Sequence, residues 1–262
     1  MNYISLSSGS CGNSHYIEGD STKIIVDAGI SGKKIVENLH VHGKDLKGLN
    51  AIMITHEHTD HVKAAGILSR KFDAPIYATA KTWEKMEANL GKVASKNIKV
   101  FSKGDQVEIG SVEVDTFPIS HDAADPVGYC FTQKNKKIAI VTDIGVITDE
   151  VFAKIKGSDI AVIESNYDED MLSFCSYPPI LKQRIRSEYG HLSNSEAGYL
   201  GIALVKSGTK KLLLAHLSKE SNMPQLAFQT VGSILTSHGI TPEDVGLDVI
   251  HRGRVSRLYN IK

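Results

Sequence analysis

Residues 55–61 read Thr-His-Glu-His-Thr-Asp-His, directly after the apolar stretch Ala51-Ile52-Met53-Ile54. A strand that ends here and passes into a tight loop can aim several side chains at one point. Water gives no reason to crowd His56, His58, Asp60 and His61 together. A metal does, because neutral imidazoles and carboxylates are ligands for Zn, Mn and Fe ions.

The same pattern recurs along the chain. The β-branched run Lys23-Ile24-Ile25-Val26 ends in Asp27-Ala28-Gly29. Phe117-Pro118-Ile119-Ser120 leads to His121, Ile138-Ala139-Ile140-Val141-Thr142 to Asp143, and Leu212-Leu213-Leu214-Ala215 to His216. Strand ends along one sheet edge lie close in space, so residues far apart in sequence can converge there.

The bulk composition is compatible with such a site and excludes other classes. The 262 residues are 41% hydrophobic and 23% charged, ordinary for a globular protein. Lys and Arg number 30 against 30 Asp and Glu, so any nucleic-acid contact must come from a local patch. No basic segment followed by an apolar core opens the chain, and no apolar run is long enough to span a bilayer. Cys11, Cys130 and Cys175 are scattered and form no CxxC pair, which argues against a disulfide framework or a thiolate zinc site. The expectation is a cytoplasmic protein with no membrane partner.

Strand patterns fall at 3–6, 15–18, 23–27, 51–55, 76–78, 98–101, 112–117, 127–132, 137–142, 160–164 and 212–215. Helical patterns fall at 33–39, 62–71, 82–90, 196–206 and 225–238. No linker or repeat divides them. They predict a single α/β domain over residues 1–262, with two sheets inside and helices outside.

The ordered set of Asp27, the HxHxDH run at 56–61, His121, Asp143 and His216 resembles the metallo-β-lactamase fold superfamily over residues 23–216. The resemblance implies a four-layer αββα sandwich and two divalent metal ions, Mn or Zn, with Fe also compatible. It implies that His56, His58 and His121 hold one ion. Asp60, His61 and His216 would hold the other, with Asp143 bridging and Asp27 positioning from behind. The β-lactamases of the superfamily typically carry Cys where this chain has Asp143; its thioesterases, nucleases and phosphodiesterases carry Asp. His15, His40, His42, His238 and His251 are expected to make ordinary hydrogen bonds.

The substrate must be read from other residues. Glu164 ends the strand at 160–164, and Gly190-His191-Leu192-Ser193-Asn194 follows. The pair resembles the acid-oriented histidine of the phosphodiesterase branches. There it implies His191 as proton donor to the leaving oxygen and Glu164 as its orienting partner. Ser193 or Asn194 also reads as a helix cap, and Ser193 is a candidate phosphate contact. The loop Ser7-Ser8-Gly9-Ser10-Cys11-Gly12-Asn13-Ser14 is either a tight hairpin or a phosphate cradle using Ser10 and Asn13. Together with Asp27 and THEHTDH it resembles the bacterial YycJ/WalJ branch of DNA exonucleases. Residues 144–211 leave no room for a β-CASP insertion, and no long tRNA-gripping arm is visible. Two basic clusters, Lys182/Arg184/Arg186 and Arg252/Arg254/Arg257, could meet backbone phosphates, with Arg184 the assigned contact and Arg257 read as a solvated residue.

The resemblance thus implies a 5′-to-3′ DNA exonuclease acting in DNA repair, with DNA as partner. Its nucleophile would be a two-metal-activated hydroxide that Asp60 helps orient. The residues alone leave open a glyoxalase II-like thioesterase, a small cyclic-phosphate phosphodiesterase and a non-catalytic metal-bearing binding module.

Overall fold

The computed structural model describes residues 1–261. One sheet contains β1 (Asn2–Ser7), β2 (Ser14–Gly19), β3 (Thr22–Val26), β4 (Ala51–Met53), β5 (Ile76–Thr79) and β6 (Ile98–Phe101). The other contains β7 (Gln106–Ile109), β8 (Val112–Pro118), β9 (Val127–Gln133), β10 (Lys136–Val141), β11 (Ile160–Glu164), β12 (Lys211–Ala215) and β13 (Gly246–Val249). A last strand, β14 (Tyr259–Asn260), returns to pair with β1. The strand orders are β14-β1-β2-β3-β4-β5-β6 and β13-β12-β11-β10-β9-β8-β7. The helices are α1 (Gly32–His40), α2 (Thr59–Val62), α3 (Ala65–Phe72), α4 (Ala80–Leu90), α5 (Asp149–Ile155), α6 (Glu169–Phe174), α7 (Pro179–Ile185), α8 (Asn194–Lys206) and α9 (Pro224–Ser237).

Side-chain alternation along the strands builds the four layers. Ile24, Val26 and Met53 of one sheet pack against Ile138, Ile140, Val162 and Leu213 of the other, making the inner core. The intervening residues face outward. Ile25 and Ile52 meet Ile35, Leu39 and Leu68 of α1 and α3, while Ala139, Ile163, Leu212 and Leu214 meet Val151 of α5, Leu204 of α8 and Val231 of α9. Both faces of each central strand are covered, which is why these strands read as unbroken apolar runs. The expected αββα sandwich is the observed architecture.

This topology collects the site. β3 runs parallel to β4, and β10, β11 and β12 run parallel to one another. β8 and β10 share a direction because each is antiparallel to β9. The polar residues after these strands therefore leave the sandwich at one end. Three of them turn the chain at once: Asp27, Asp143 and His216 have φ of 57°, 56° and 56°, the left-handed region that non-glycine residues seldom occupy.

The sequence patterns differ from the structure in places. The single helix expected at 62–71 is two, α2 and α3. The break falls at Ala64, whose N–H leaves the helical direction to bond Ala28 O at 2.8 Å. That bond ties the metal-ligand loop to the Asp27 turn. The elements β7, β13, β14, α5, α6 and α7 were not anticipated. Most are short, and α6 and α7 span under two turns each. α8 begins with a capping box: Ser193 Oγ accepts from Glu196 N at 3.2 Å, and Glu196 Oε2 accepts from Ser193 N at 2.8 Å. Ser193→Ala is expected to cost about 1 kcal/mol, lowering the melting temperature by roughly 2–4 °C. Calorimetry on the two proteins checks this.

Candidate metal centre

The ligand atoms of His56, His58 and His121 lie within 4.8 Å of one another, as do those of Asp60, His61 and His216. Asp143 stands between the groups. Its Oδ1 is 3.4 Å from His216 Nε2 and 3.9 Å from His121 Nε2, and its Oδ2 is 3.6 Å from His61 Nε2. The expected ligands thus lie close together, and two further groupings, His56/His61/Asp143 and Asp143/Glu164/His191/His216, overlap these sets.

A surrounding layer fixes each ring. Asp27 Oδ2 accepts from His61 Nδ1 at 2.8 Å, so His61 Nε2 is left facing the cluster. The same carboxylate accepts from Thr55 N and Thr55 Oγ1, both at 2.9 Å, which pins the start of the loop. Thr55 Oγ1 in turn accepts from His56 Nδ1 at 3.0 Å and frees His56 Nε2. Gly29 is required here: a Cβ on it would fall 1.6 Å from Asp60 O. Glu57 points out of the cluster and accepts from Ala124 N at 2.8 Å, steadying the loop that carries His121.

Glu164 is the junction of the other half. It is fully buried, and its Oε1 accepts from both His216 Nδ1 at 2.7 Å and His191 Nδ1 at 2.8 Å. Its Oε2 accepts the backbone N–H groups of Ile144 at 2.9 Å and Leu192 at 3.3 Å. The rings of His121 and His216 each lie 5.3 Å from that of His191, so His191 borders the cluster.

The phosphate contacts named from sequence scatter. Ser10 is exposed. Asn13 is buried, and its Nδ2 lies 3.0 Å from His61 Nε2 and 3.5 Å from Asp60 Oδ2, inside the ligand cluster. The Ser193 hydroxyl is engaged in its helix cap. Arg184 Nε bonds Asp122 Oδ2 at 2.5 Å, and Asp122 Oδ1 is 3.4 Å from His121 Nε2. Sequence reasoning missed Ser8, whose Oγ accepts from His216 N at 2.8 Å, and Asn166, which donates to His216 O at 2.8 Å. Ser8 was signalled by its Ser-Gly loop; Asn166 had no signal.

Two buried atoms, Asp143 Oδ2 and His216 Nε2, have no hydrogen-bond partner. His56 Nε2 faces His58 Nδ1 at 3.0 Å, nitrogen to nitrogen. Orphaned acceptors and crowded imidazoles of this kind fit a pair of divalent cations.

The electrostatics agree. Burial alone would lower His61 and His216, but Asp27 and Asp143 raise the first to about 10, and Asp143 and Glu164 raise the second to about 9. Burial would raise Glu164, but His191 and His216 hold it down at about 2. In the metal-free protein, the stability from His61 and His216 is complete below the ordinary 6.5 and is lost as pH rises through 9 to 10. Both protons must leave before a cation enters. Metal affinity is therefore expected to rise by up to about a hundredfold per pH unit between pH 7 and 9, with proton release on binding. Calorimetric titration with Zn in buffers of different ionisation enthalpy measures this; pH-independent affinity would contradict it.

Residues 22–217 match the family described as Beta-lactamase superfamily domain. The chain is 40% identical over 239 residues to Exodeoxyribonuclease YycJ of Bacillus anthracis, covering 91% of this chain and 90% of that one. This chain belongs to the beta-lactamase superfamily, in its YycJ/WalJ family. Exodeoxyribonuclease WalJ of Streptococcus pneumoniae is 42% identical over 231 residues, covering 87% of this chain and 86% of its own. The metallo-beta-lactamase fold protein YhfI from Bacillus subtilis superposes with a TM-score of 0.72 at 15% identity, over 97% of this chain and 98% of that one. As a superfamily member the chain is a metal-dependent hydrolase. No helix among its described residues is long and apolar enough to cross a membrane.

Proposed function

We propose that this YycJ/WalJ family member is an exodeoxyribonuclease that removes nucleotides from DNA ends in the 5′-to-3′ direction and serves DNA repair in the cytoplasm. The observation that carries the phosphodiester reading is the sharing of Glu164 Oε1 between His191 and His216. One carboxylate aims a proton donor and a candidate ligand at the same spot. A thioester needs no such donor, since a thiolate leaves unaided; an alkoxide does. The names of the two curated relatives support DNA as substrate.

His56, His58 and His121 would hold one divalent ion, and Asp60, His61 and His216 the other, with Asp143 between them. Mn or Zn suits this thiolate-free donor set, and Fe is compatible. When bound, such ions polarise a phosphoryl oxygen and lower the pKa of water. The side chain of Asp60 is 31% exposed and reaches the open side, where it would orient the attacking hydroxide. In-line attack forms the new P–O bond as the bond to the 3′ oxygen breaks. His191 gives that oxygen its proton, Glu164 stabilises the resulting ring orientation, and the remaining strand keeps a 5′-phosphate. All of this fits within one domain without a β-CASP insertion.

The test is digestion of single- and double-stranded DNA and RNA, labelled at either end, with Mn, Zn or Mg supplied singly. The expected result is mononucleotide release from 5′ ends of DNA, stopped by chelation and restored by Mn. Thioester hydrolysis without DNA cleavage would overturn the reading.

A further inference from the structure

β13 runs parallel to β12, and Ile250 N continues the ladder to Leu214 O at 2.8 Å. The chain after β13 therefore emerges at the same end of the sandwich as His216. There it carries Arg252. This arginine's stem lies against the loop of residues 7–14: a Cβ on Gly9 would come 2.8 Å from Arg252 Cγ and 3.0 Å from its Cδ. Gly9 has φ of 120° and is the residue that permits this approach. Its neighbour Ser8 holds His216 N, and its own N–H bonds Asn13 Oδ1 at 2.7 Å. The arginine thus rests on the loop that touches His216 and, through Asn13, His61.

Its guanidinium is in an unusual state. Nη1 is buried and has no hydrogen-bond partner. Arg70, Arg184, Arg186 and Arg257 each bond an oxygen. A buried guanidinium N–H without an acceptor is unfavourable unless an anion completes it. A guanidinium matches a phosphate in shape and charge.

We infer that Arg252, seated on Gly9 of the Ser-rich loop, is a phosphate-binding residue that takes a backbone phosphate of the DNA strand beside the metal centre. This rests on the nuclease reading for the identity of the polyanion, but its signature is strand binding rather than turnover. Arg252→Met keeps the packing on Gly9 and removes the charge. Arg252→Lys keeps the charge and removes the fork.

The experiment measures binding of a fluorescent single strand to the metal-free full chain by anisotropy, across a salt series, for wild type and both variants. It also measures KM and kcat for 5′-phosphorylated and 5′-hydroxyl strands and for bis(p-nitrophenyl) phosphate, which has no neighbouring phosphate. Arg252→Met is expected to weaken strand binding about tenfold to a hundredfold. The slope of log affinity against log salt should flatten by about 0.7. KM for DNA should rise in step, with turnover of bis(p-nitrophenyl) phosphate and the melting temperature unchanged. Arg252→Lys should fall between. If the loss is confined to 5′-phosphorylated strands, the phosphate bound is the terminal one; if it is equal for both, it is internal. Unchanged affinity in Arg252→Met, or no strand binding by the wild type, overturns the inference. A wild type that binds strands through Arg252 but digests none refutes the nuclease reading and leaves the phosphate site standing.

Discussion

Asp143→Asn is expected to lower DNA digestion by on the order of a thousandfold or more and to reduce bound metal below two ions per chain. The substitution keeps the shape of the side chain and removes its charge. In the native protein that charge lies among three imidazoles, with Oδ1 reaching His216 and His121 and Oδ2 reaching His61. Burial would raise the Asp143 carboxyl, yet the surrounding histidines hold it well below the usual carboxylate range. An amide there would leave the proposed pair of cations without the buried negative charge that offsets them. Elemental analysis of the purified variant and end-labelled digestion read the two effects. Two ions per chain together with native turnover would remove Asp143 from the centre of the site.

His191→Ala is the second large effect, with a different signature. Turnover on DNA is expected to fall by about a hundredfold to ten-thousandfold, while metal content stays at the wild-type level, because His191 is outside the two ligand sets proposed above. The loss should depend on the leaving group. p-Nitrophenolate departs without a proton, so hydrolysis of bis(p-nitrophenyl) phosphate should be nearly unaffected. An equal loss on both substrates would mean that His191 positions or packs rather than donates. Loss of metal would mean that its hydrogen bond to Glu164, which also holds His216, is needed to keep that ligand in place.

The two variants probe parts of the site that differed in legibility. Asp27, His121, Asp143 and His216 could be read from sequence because each follows an apolar strand, and His61 because it closes the 55–61 run. Strands running in one direction then carry these ends to one edge, so a one-dimensional pattern became a three-dimensional cluster. The Glu164–His191 pair was legible for half of that reason: Glu164 ends β11, but His191 lies in an irregular segment. The helices before it, α6 and α7, are short, and their periodicity is too brief to read. Asn166 and Ser8 bond backbone atoms of His216, and only the Ser-Gly loop around Ser8 hinted at either. No residue pattern encodes such bonds. Arg252 depended on the position of β13, a strand of Gly-Leu-Asp-Val that is neither apolar nor alternating over enough residues to stand out. Asn13 was noticed for its loop, but its place among the ligands follows from the folding of that loop onto Asp60, whose carbonyl accepts Asn13 N at 2.8 Å.

The left-handed backbone at Asp27, Asp143 and His216 bears on how far this site can be remodelled. Asn, Asp, His and Gly tolerate that conformation best; most other residues carry strain of about 1–3 kcal/mol there. A library randomised at these positions is therefore filtered by the backbone before chemistry is selected at all. Conversion of the centre to aliphatic character at 27, 143 or 216 starts from a folding handicap. Positions 56, 58 and 121 have no such restriction among the described residues, and the evolvability of this centre lies with them.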